Sequence, residues 1–237
     1  GRSWQQMFRA MSLACLAMAG GFSLFSFGDM NTEGEQREQA RVPRLMRNPL
    51  LLFLFLTIFL YVGSEIGVSA WIGEYYVKVF GSSASMGAYM VSVFWLGILA
   101  GRLSVSIAYR GYRQAELLLS VCCLSALSLA AALSMGSPLT AGAGFLVCGL
   151  MFSAVYPVVM ALTGQHFESA QSVAIGIVST AGGVGSFASP FAMAAIANAY
   201  GIRTGFLFYI GTTVGMVASA IAVLYLVRQG ERPGGPS

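Results

Sequence analysis

Long apolar runs separated by short polar connections dominate the pattern along the chain. Seven such runs occur, and we name them spans a to g in chain order: 7–28, 49–77, 86–108, 115–135, 138–164, 172–199 and 205–227. Each run reaches the length of about 20 residues that a helix needs to cross a bilayer. They lack the alternation of barrel strands, and a helix satisfies its own backbone in lipid. The pattern predicts an all-α integral membrane protein with seven transmembrane helices.

Composition narrows the class of protein. The 237 residues are 57% hydrophobic and 9% charged, whereas an ordinary soluble domain is about 25% charged. This excludes a soluble enzyme, a disordered chain and a collagen-like fibre, and it makes the lipid bilayer the principal partner. The net charge of +4 comes from scattered basic residues, so we expect no nucleic-acid partner. The four cysteines lie in apolar runs without disulfide or metal spacing, and we expect no metal or cofactor.

Span a has two interpretations, a signal peptide or a real crossing. Arg2 and Arg9 precede its apolar stretch, as in a signal peptide. The stretch is longer than a usual signal core, and no small-residue cleavage motif follows it. Cleavage would also place the next, arginine-rich segment outside the cell, although short loops of this kind stay cytoplasmic. We therefore favour a real crossing.

The distribution of basic residues predicts the topology. With the connection after span a in the cytoplasm, alternation places nine basic residues inside: Arg37, Arg41, Arg44, Arg47, Arg102, Arg110, Arg113, Arg228 and Arg232. Four fall outside: Arg2, Arg9, Lys78 and Arg203. This bias predicts a multi-pass protein of the plasma membrane, or of the inner membrane of a bacterium, with a cytoplasmic carboxyl terminus.

The long polar connection divides the chain unevenly. Since the chain begins at Gly1 without an initiator Met, we expect a fragment that starts in the last helix of a truncated amino-terminal bundle. We expect that helix at 1–28, a cytoplasmic loop at 29–48, a six-helix bundle at 49–227 and a cytoplasmic tail at 228–237. Spans b–d and e–g form triplets of opposite orientation, an arrangement of many secondary transporters. Seven crossings would also suit a membrane receptor.

Glu65 is the sharpest chemical signal, because it lies in the middle of span b. A carboxylate at that depth costs several kcal/mol, so it must face a cavity or a partner. There it can carry a proton, bind solute hydroxyls or coordinate sodium. The alternative is a structural carboxylate that a neighbouring helix satisfies.

Aromatic residues follow toward the outer end of span b. Trp71 and Tyr75 are candidates for stacking against a sugar ring. Side chains of this kind also form the interfacial belt of membrane helices, and both interpretations stay open.

Span e contains a predicted helix interruption. Pro157 lacks a backbone donor and frees a carbonyl one turn earlier. Broken helices occur in membranes where they line a cavity, so Ser153 and Tyr156 are candidate solute contacts. Alternatively, the proline makes a packing kink and Ser153 bonds to its own backbone.

Small residues mark spans c, f and g. Span f contains Gly182, Gly183 and Pro190, and the Gly-x-x-x-Gly pattern occurs at 97–101 and 211–215. This spacing favours close helix packing, and Pro190 is a further candidate for a helix break. The spans contain no Ser/His/Asp set, metal cluster or pair of acids, so we do not expect an enzyme.

Several segments resemble the major facilitator superfamily, in particular its fucose–proton symporter-like sugar permeases. Tyr61-Val-Gly-Ser-Glu65, with Trp71 and Tyr75, looks like the seventh helix of that branch. Segments around Ser153 and at 176–201 look like the tenth and eleventh helices. Gly97-x-x-x-Gly101-Arg102 is similar to a cytoplasmic loop signature of the superfamily, but Gly101 stands where an acidic residue is often found.

The resemblance implies an alternating-access transporter of which this chain is the carboxyl-terminal half plus one helix. Its expected partners are a sugar or similar polar solute, a coupling proton or sodium ion, and the missing amino-terminal bundle. It implies that spans b and e line the central cavity, that c and f face the other half, and that a, d and g lie outside. A drug or metabolite exporter of the same fold is the alternative.

Overall fold

The computed structural model describes residues 3–23, 42–108 and 113–230 of the chain. These ranges contain helices, turns and short connections, and no strand occurs in them. The predicted all-α fold is therefore confirmed for the described residues. The chain forms two compact units, Gly1–Gln39 and Ala40–Ser237.

The first unit contains helix α1, Ser3–Ser23. Six helices in the described residues are long and apolar enough to cross a membrane, and α1 is not one of them. Its first turns carry Gln5, Gln6 and Arg9, which lower the apolar character of the segment. The seventh crossing stays a prediction, and the end of span a with most of the following loop lies outside the described residues.

The second unit contains the six candidate crossings, all within a few residues of predicted spans b to g. They are built from α2 (Pro49–Phe80), α3 (Ala84–Ala108), α4 (Gln114–Ser134), α5 (Pro138–Phe152), α6 (Val155–His166), α7 (Gln171–Tyr200) and α8 (Ile202–Gly230). Helices α5 and α6 together make one crossing, and a short 3₁₀ turn, Glu168–Ala170, precedes α7. A multi-pass membrane protein is the class that this architecture supports.

Local capping explains where several helices begin and end. Asn48 caps α2 by accepting hydrogen bonds from the backbone N–H groups of Leu50 and Leu51, at 2.9 and 3.4 Å. Proline follows at the first helical position, where a missing N–H costs nothing. Gly81 ends α2 with a left-handed φ of 63° that favours glycine. Ser137 and Pro138 repeat the same start signal at α5.

Helix α2 lies at the centre of the second unit and contacts α3, α5, α6, α7 and α8. Two of its buried hydroxyls, those of Thr57 and Ser64, are bonded to hydroxyls of another helix. Thr57 and Ser219 share a hydrogen bond of 2.8 Å, and Ser64 and Thr212 share another of 2.8 Å. Such bonds fix the register of membrane helices. The position of Glu65 in the bundle is therefore fixed, because contacts with five other helices hold α2 in place.

Close backbone contacts between helices depend on glycine. A Cβ on Gly149 of α5 would overlap the carbonyl oxygen of Phe94 on α3, and a Cβ on Gly97 would overlap the carbonyl oxygen of Leu146. These reciprocal contacts press α3 against α5, as the Gly-x-x-x-Gly pattern predicts.

The candidates in span f behave differently from one another. A Cβ on Gly182 would lie 3.2 and 3.3 Å from side-chain atoms of Val62 and Ile58, which is a packing contact. Gly183 has no other heavy atom within 4 Å of that position. Helix α7 runs without interruption through Pro190. Packing therefore accounts for Gly182, whereas the structure shows no break at Pro190.

We expect Gly149→Ala to lower the free energy of unfolding by about 1–3 kcal/mol, because the new methyl group overlaps a backbone carbonyl that cannot move freely. Unfolding by SDS titration in mixed micelles measures this quantity. Gly183→Ala is the matched control, since its methyl group would meet open space, and it should change stability little. Equal stability of the two variants would contradict the close packing of α3 on α5.

Candidate functional site

Glu65 is buried in the middle of α2 and pairs with an arginine. Its residue is 4% exposed, and the Arg102 Nη2 group donates to its Oε1 atom over 3.5 Å. The Arg102 side chain is 54% exposed. The contact is longer than the about 2.7–2.9 Å of a tight charge-assisted hydrogen bond. The pair therefore joins a buried carboxylate to a guanidinium that is more than half exposed.

The antiparallel hairpin of α2 and α3 explains why these residues meet. At a helical rise of about 1.5 Å per residue, Glu65 lies about 22 Å and Arg102 about 27 Å from the Gly81–Ser83 connection. The long arginine side chain covers the difference. The charge distribution assigns Arg102 to the cytoplasmic side, and the structure pairs its guanidinium with Glu65. Without Arg102, the other basic residues still predict the same topology, because more of them fall on the cytoplasmic side than outside.

The pair lines a cavity of about 590 Å³ between α2, α3 and α6. This volume lies within the range of about 300–1,000 Å³ that is typical of small-molecule pockets. The cavity is open to the surroundings of the described chain rather than enclosed. Its lining residues come from three helices: Val62, Glu65, Arg102, Val105, Tyr156 and Pro157.

The interruption between α5 and α6 forms one wall of this cavity. The helix stops at Phe152 and resumes at Val155, two residues before Pro157. Since Pro157 has no N–H, it cannot bond the carbonyl four residues earlier, and a turn replaces the helix there. Tyr156 and Pro157 lie in the first turn after the interruption and line the cavity. The Tyr156 hydroxyl donates to Ser179 Oγ on α7 over 3.3 Å.

Ser153 does not line the cavity. Its Oγ atom donates to the Leu150 carbonyl over 2.7 Å, and the residue is fully buried. It packs where Gly101 leaves room, since a Cβ at Gly101 would overlap the Ser153 hydroxyl. Of the two interpretations of this serine, the structure shows the one in which it bonds to its own backbone.

The aromatic candidates lie away from Glu65. Tyr75 is buried near the carboxyl end of α2, and its ring centroid is 4.7 Å from that of Phe206. Its hydroxyl donates to the Leu133 carbonyl over 3.4 Å. Trp71 is half-buried against the core and does not line the cavity. The structure therefore does not bring Trp71 or Tyr75 together with the charged pair.

Tyr61 is a residue of this site that sequence reasoning missed as a site residue. It lies one helical turn before Glu65, is fully buried, and packs edge-on against Phe152 with ring centroids 5.9 Å apart. Its hydroxyl forms no hydrogen bond in the structure, yet it lies within electrostatic range of Glu65 and Arg102. The four-residue spacing from Glu65 was the available signal, because residues so spaced share a helix face.

Other charged residues form ion pairs at the ends of the helices. Glu116 accepts from Arg228 at 3.1 Å and also pairs with Arg113 at 3.7 Å. Glu74 and Lys78 form a pair four residues apart near the carboxyl end of α2, with 3.0 Å between the charged atoms, and both side chains are well exposed. These exposed pairs contribute little to stability. Within the described ranges, no group of three or more His, Cys, Asp or Glu side chains is placed to hold a metal ion.

Comparison with known proteins identifies no family. No protein-family model matches the chain, and a search of curated proteins finds no significant match. The resemblance to the major facilitator superfamily therefore stays a prediction.

We expect Arg102→Met to lower the free energy of unfolding by about 2 kcal/mol, less than the roughly 3–5 kcal/mol for a fully buried pair, because water already screens part of the attraction. The loss arises from leaving Glu65 charged and without its partner. Adding Glu65→Gln to this variant should restore most of the stability, since the amide carries no charge. SDS titration of both single variants and the double variant measures the coupling, and additive effects would show that the two side chains do not interact.

Proposed function

We propose that this chain is part of a secondary active transporter that moves a small polar solute by alternating access, coupled to a proton or sodium gradient. The observation that carries the proposal is the Glu65–Arg102 pair on the wall of an open cavity of about 590 Å³. The pair lies between helices that are long and apolar enough to span a membrane.

Energetics favours a functional role for this pair. Ionisable groups at membrane depth are costly, and they are tolerated mainly where they face a cavity, pair with each other, or do both. Glu65 and Arg102 do both. A purely structural contact would be cheaper with apolar residues, because a buried ion pair often stabilises a protein less than well-packed hydrophobic side chains.

The interrupted crossing supports the same proposal. Irregular backbone at membrane depth is tolerated where it lines a cavity, and transporters place solute sites at such interruptions. The turn at 153–154 lies directly before Tyr156 and Pro157, which line this cavity. The three helices that form the site therefore provide charge, aromatic surface and local backbone freedom.

We further propose that a second helical bundle closes the open side of the cavity in the working transporter. The plasma membrane, or the inner membrane of a bacterium, is the proposed location, with the carboxyl terminus in the cytoplasm. The arginines around α2, α4 and α8 support that orientation, because Arg44, Arg47, Arg113 and Arg228 line depressions at one end of the second unit.

Glu65→Gln in the full-length protein should reduce gradient-driven uptake about tenfold or more, which corresponds to the loss of one charge-assisted interaction. Uptake into proteoliposomes with imposed proton or sodium gradients measures this, with expression and unfolding checked in parallel. Glu74→Gln is the control, because Glu74 forms an exposed pair away from the cavity. Unchanged uptake kinetics in Glu65→Gln would make this carboxylate structural.

A further inference from the structure

The polar groups of the cavity are unequally available to a solute. Glu65 is nearly sealed, with a side chain 6% exposed, whereas the paired side chain of Arg102 is 54% exposed. A molecule that enters the cavity therefore meets the guanidinium rather than the carboxylate. The first charge available for recognition is positive.

Most of the hydrogen-bonding capacity of Arg102 is unused among the described residues. Its Nη2 atom makes one long contact to Glu65, and the Tyr61 hydroxyl is the other polar group that interacts with this guanidinium. A guanidinium carries five N–H donors in a planar fork. That fork matches the two oxygens of a carboxylate or phosphate.

The other lining residues that the structure describes offer little to a neutral polyol. Val62, Val105 and Pro157 contribute apolar surface, and the hydroxyl of Tyr156 already donates to Ser179. Sugar hydroxyls need several convergent donors and acceptors, which these side chains do not provide. The apolar wall next to a single cationic fork is better suited to a solute with one anionic head and a small body.

We propose that Arg102 binds the carboxylate or phosphate group of an anionic organic solute. When no solute is bound, Glu65 is the ion-pair partner of Arg102. The long contact makes Glu65 a weak partner that an incoming oxyanion can replace. The proposal rests on the proposed transport function and names the solute class for it, in place of the neutral sugar that the resemblance implies.

Binding to the protein in zwitterionic nanodiscs tests this assignment. Isothermal titration with glucuronate, glucose 6-phosphate, glucose and glucosamine compares a carboxylate, a phosphate, a neutral solute and a cation on the same ring. We expect at least one of the anions to bind about tenfold more tightly than glucose or glucosamine, as one charge-assisted contact predicts. The tighter of the two anions identifies the preferred head group.

Three variants locate the effect. Arg102→Gln should remove the preference for the anions, and Glu65→Gln should raise their affinity about tenfold, because the cation no longer has a charged competitor. Arg228→Gln is the matched control: this arginine is 55% exposed and donates to Glu116 over 3.1 Å, so it resembles Arg102 in exposure and pairing but lies away from the cavity. Its removal should leave binding unchanged.

Several results would overturn the proposal: glucose binding as tightly as both anions, glucosamine binding best, no anion binding by either wild type or Glu65→Gln, or an anion preference that survives in Arg102→Gln. The transport function fails in a different way. If glucose and the anions bind equally well and uptake depends on Glu65, the proposed transport function stands and the proposed anion site is wrong. If the preference for anions depends on Arg102 but Glu65→Gln does not change uptake, the proposed anion site stands and the proposed coupled transport is wrong.

Discussion

The cost of placing a carboxylate in an apolar helix bundle governs the arrangement of the site. Glu65 cannot be solvated by lipid, and its surroundings must supply what water would otherwise provide. Arg102 supplies an opposite charge over 3.5 Å, and the open cavity beside it lets solvent or solute reach that charge. The ion pair and the open cavity are both needed. Arg102 offsets the charge of Glu65, and the cavity is needed because a buried cation without access to it would be as costly as the carboxylate alone.

The rest of the second unit holds this pair in place. Hydroxyl bonds from Thr57 and Ser64 fix α2 against α8, and glycine contacts at Gly97 and Gly149 fix α3 against α5. Each of the two helices that carry the charges is thus held against a further helix. The turn before Pro157 leaves the third wall less regular. The site therefore combines closely packed helices with an interrupted one, which is the combination that the proposed exchange of solute requires.

Much of the fold could be predicted from the sequence because the apolar runs are long and their ends carry strong signals, such as Asn48 with Pro49, and Gly81. A carboxylate in the middle of span b identified Glu65 as a candidate, because an apolar span does not tolerate a charge there without a compensating partner. Its partner was missed because Arg102 lies near the inner end of span c, where arginine usually marks the cytoplasmic boundary. Counting depth from the shared hairpin would have paired the two residues. The orientation of Ser153 could not be predicted, since a hydroxyl on a helix bonds its own backbone or faces outward with the same sequence.

The accessibility of the cavity wall to water tests the central claim most directly. Single cysteines at Val62, which lines the cavity, and at Leu127, which is 66% exposed on the outer face of α4, are introduced into a cysteine-free protein. Reaction with a charged, membrane-impermeant thiol reagent is then compared in lipid. A water-filled site beside Glu65 predicts rapid labelling at position 62 and slow labelling at position 127. Equally slow labelling at both positions would mean that the charged pair lies in dry packing, which contradicts the account.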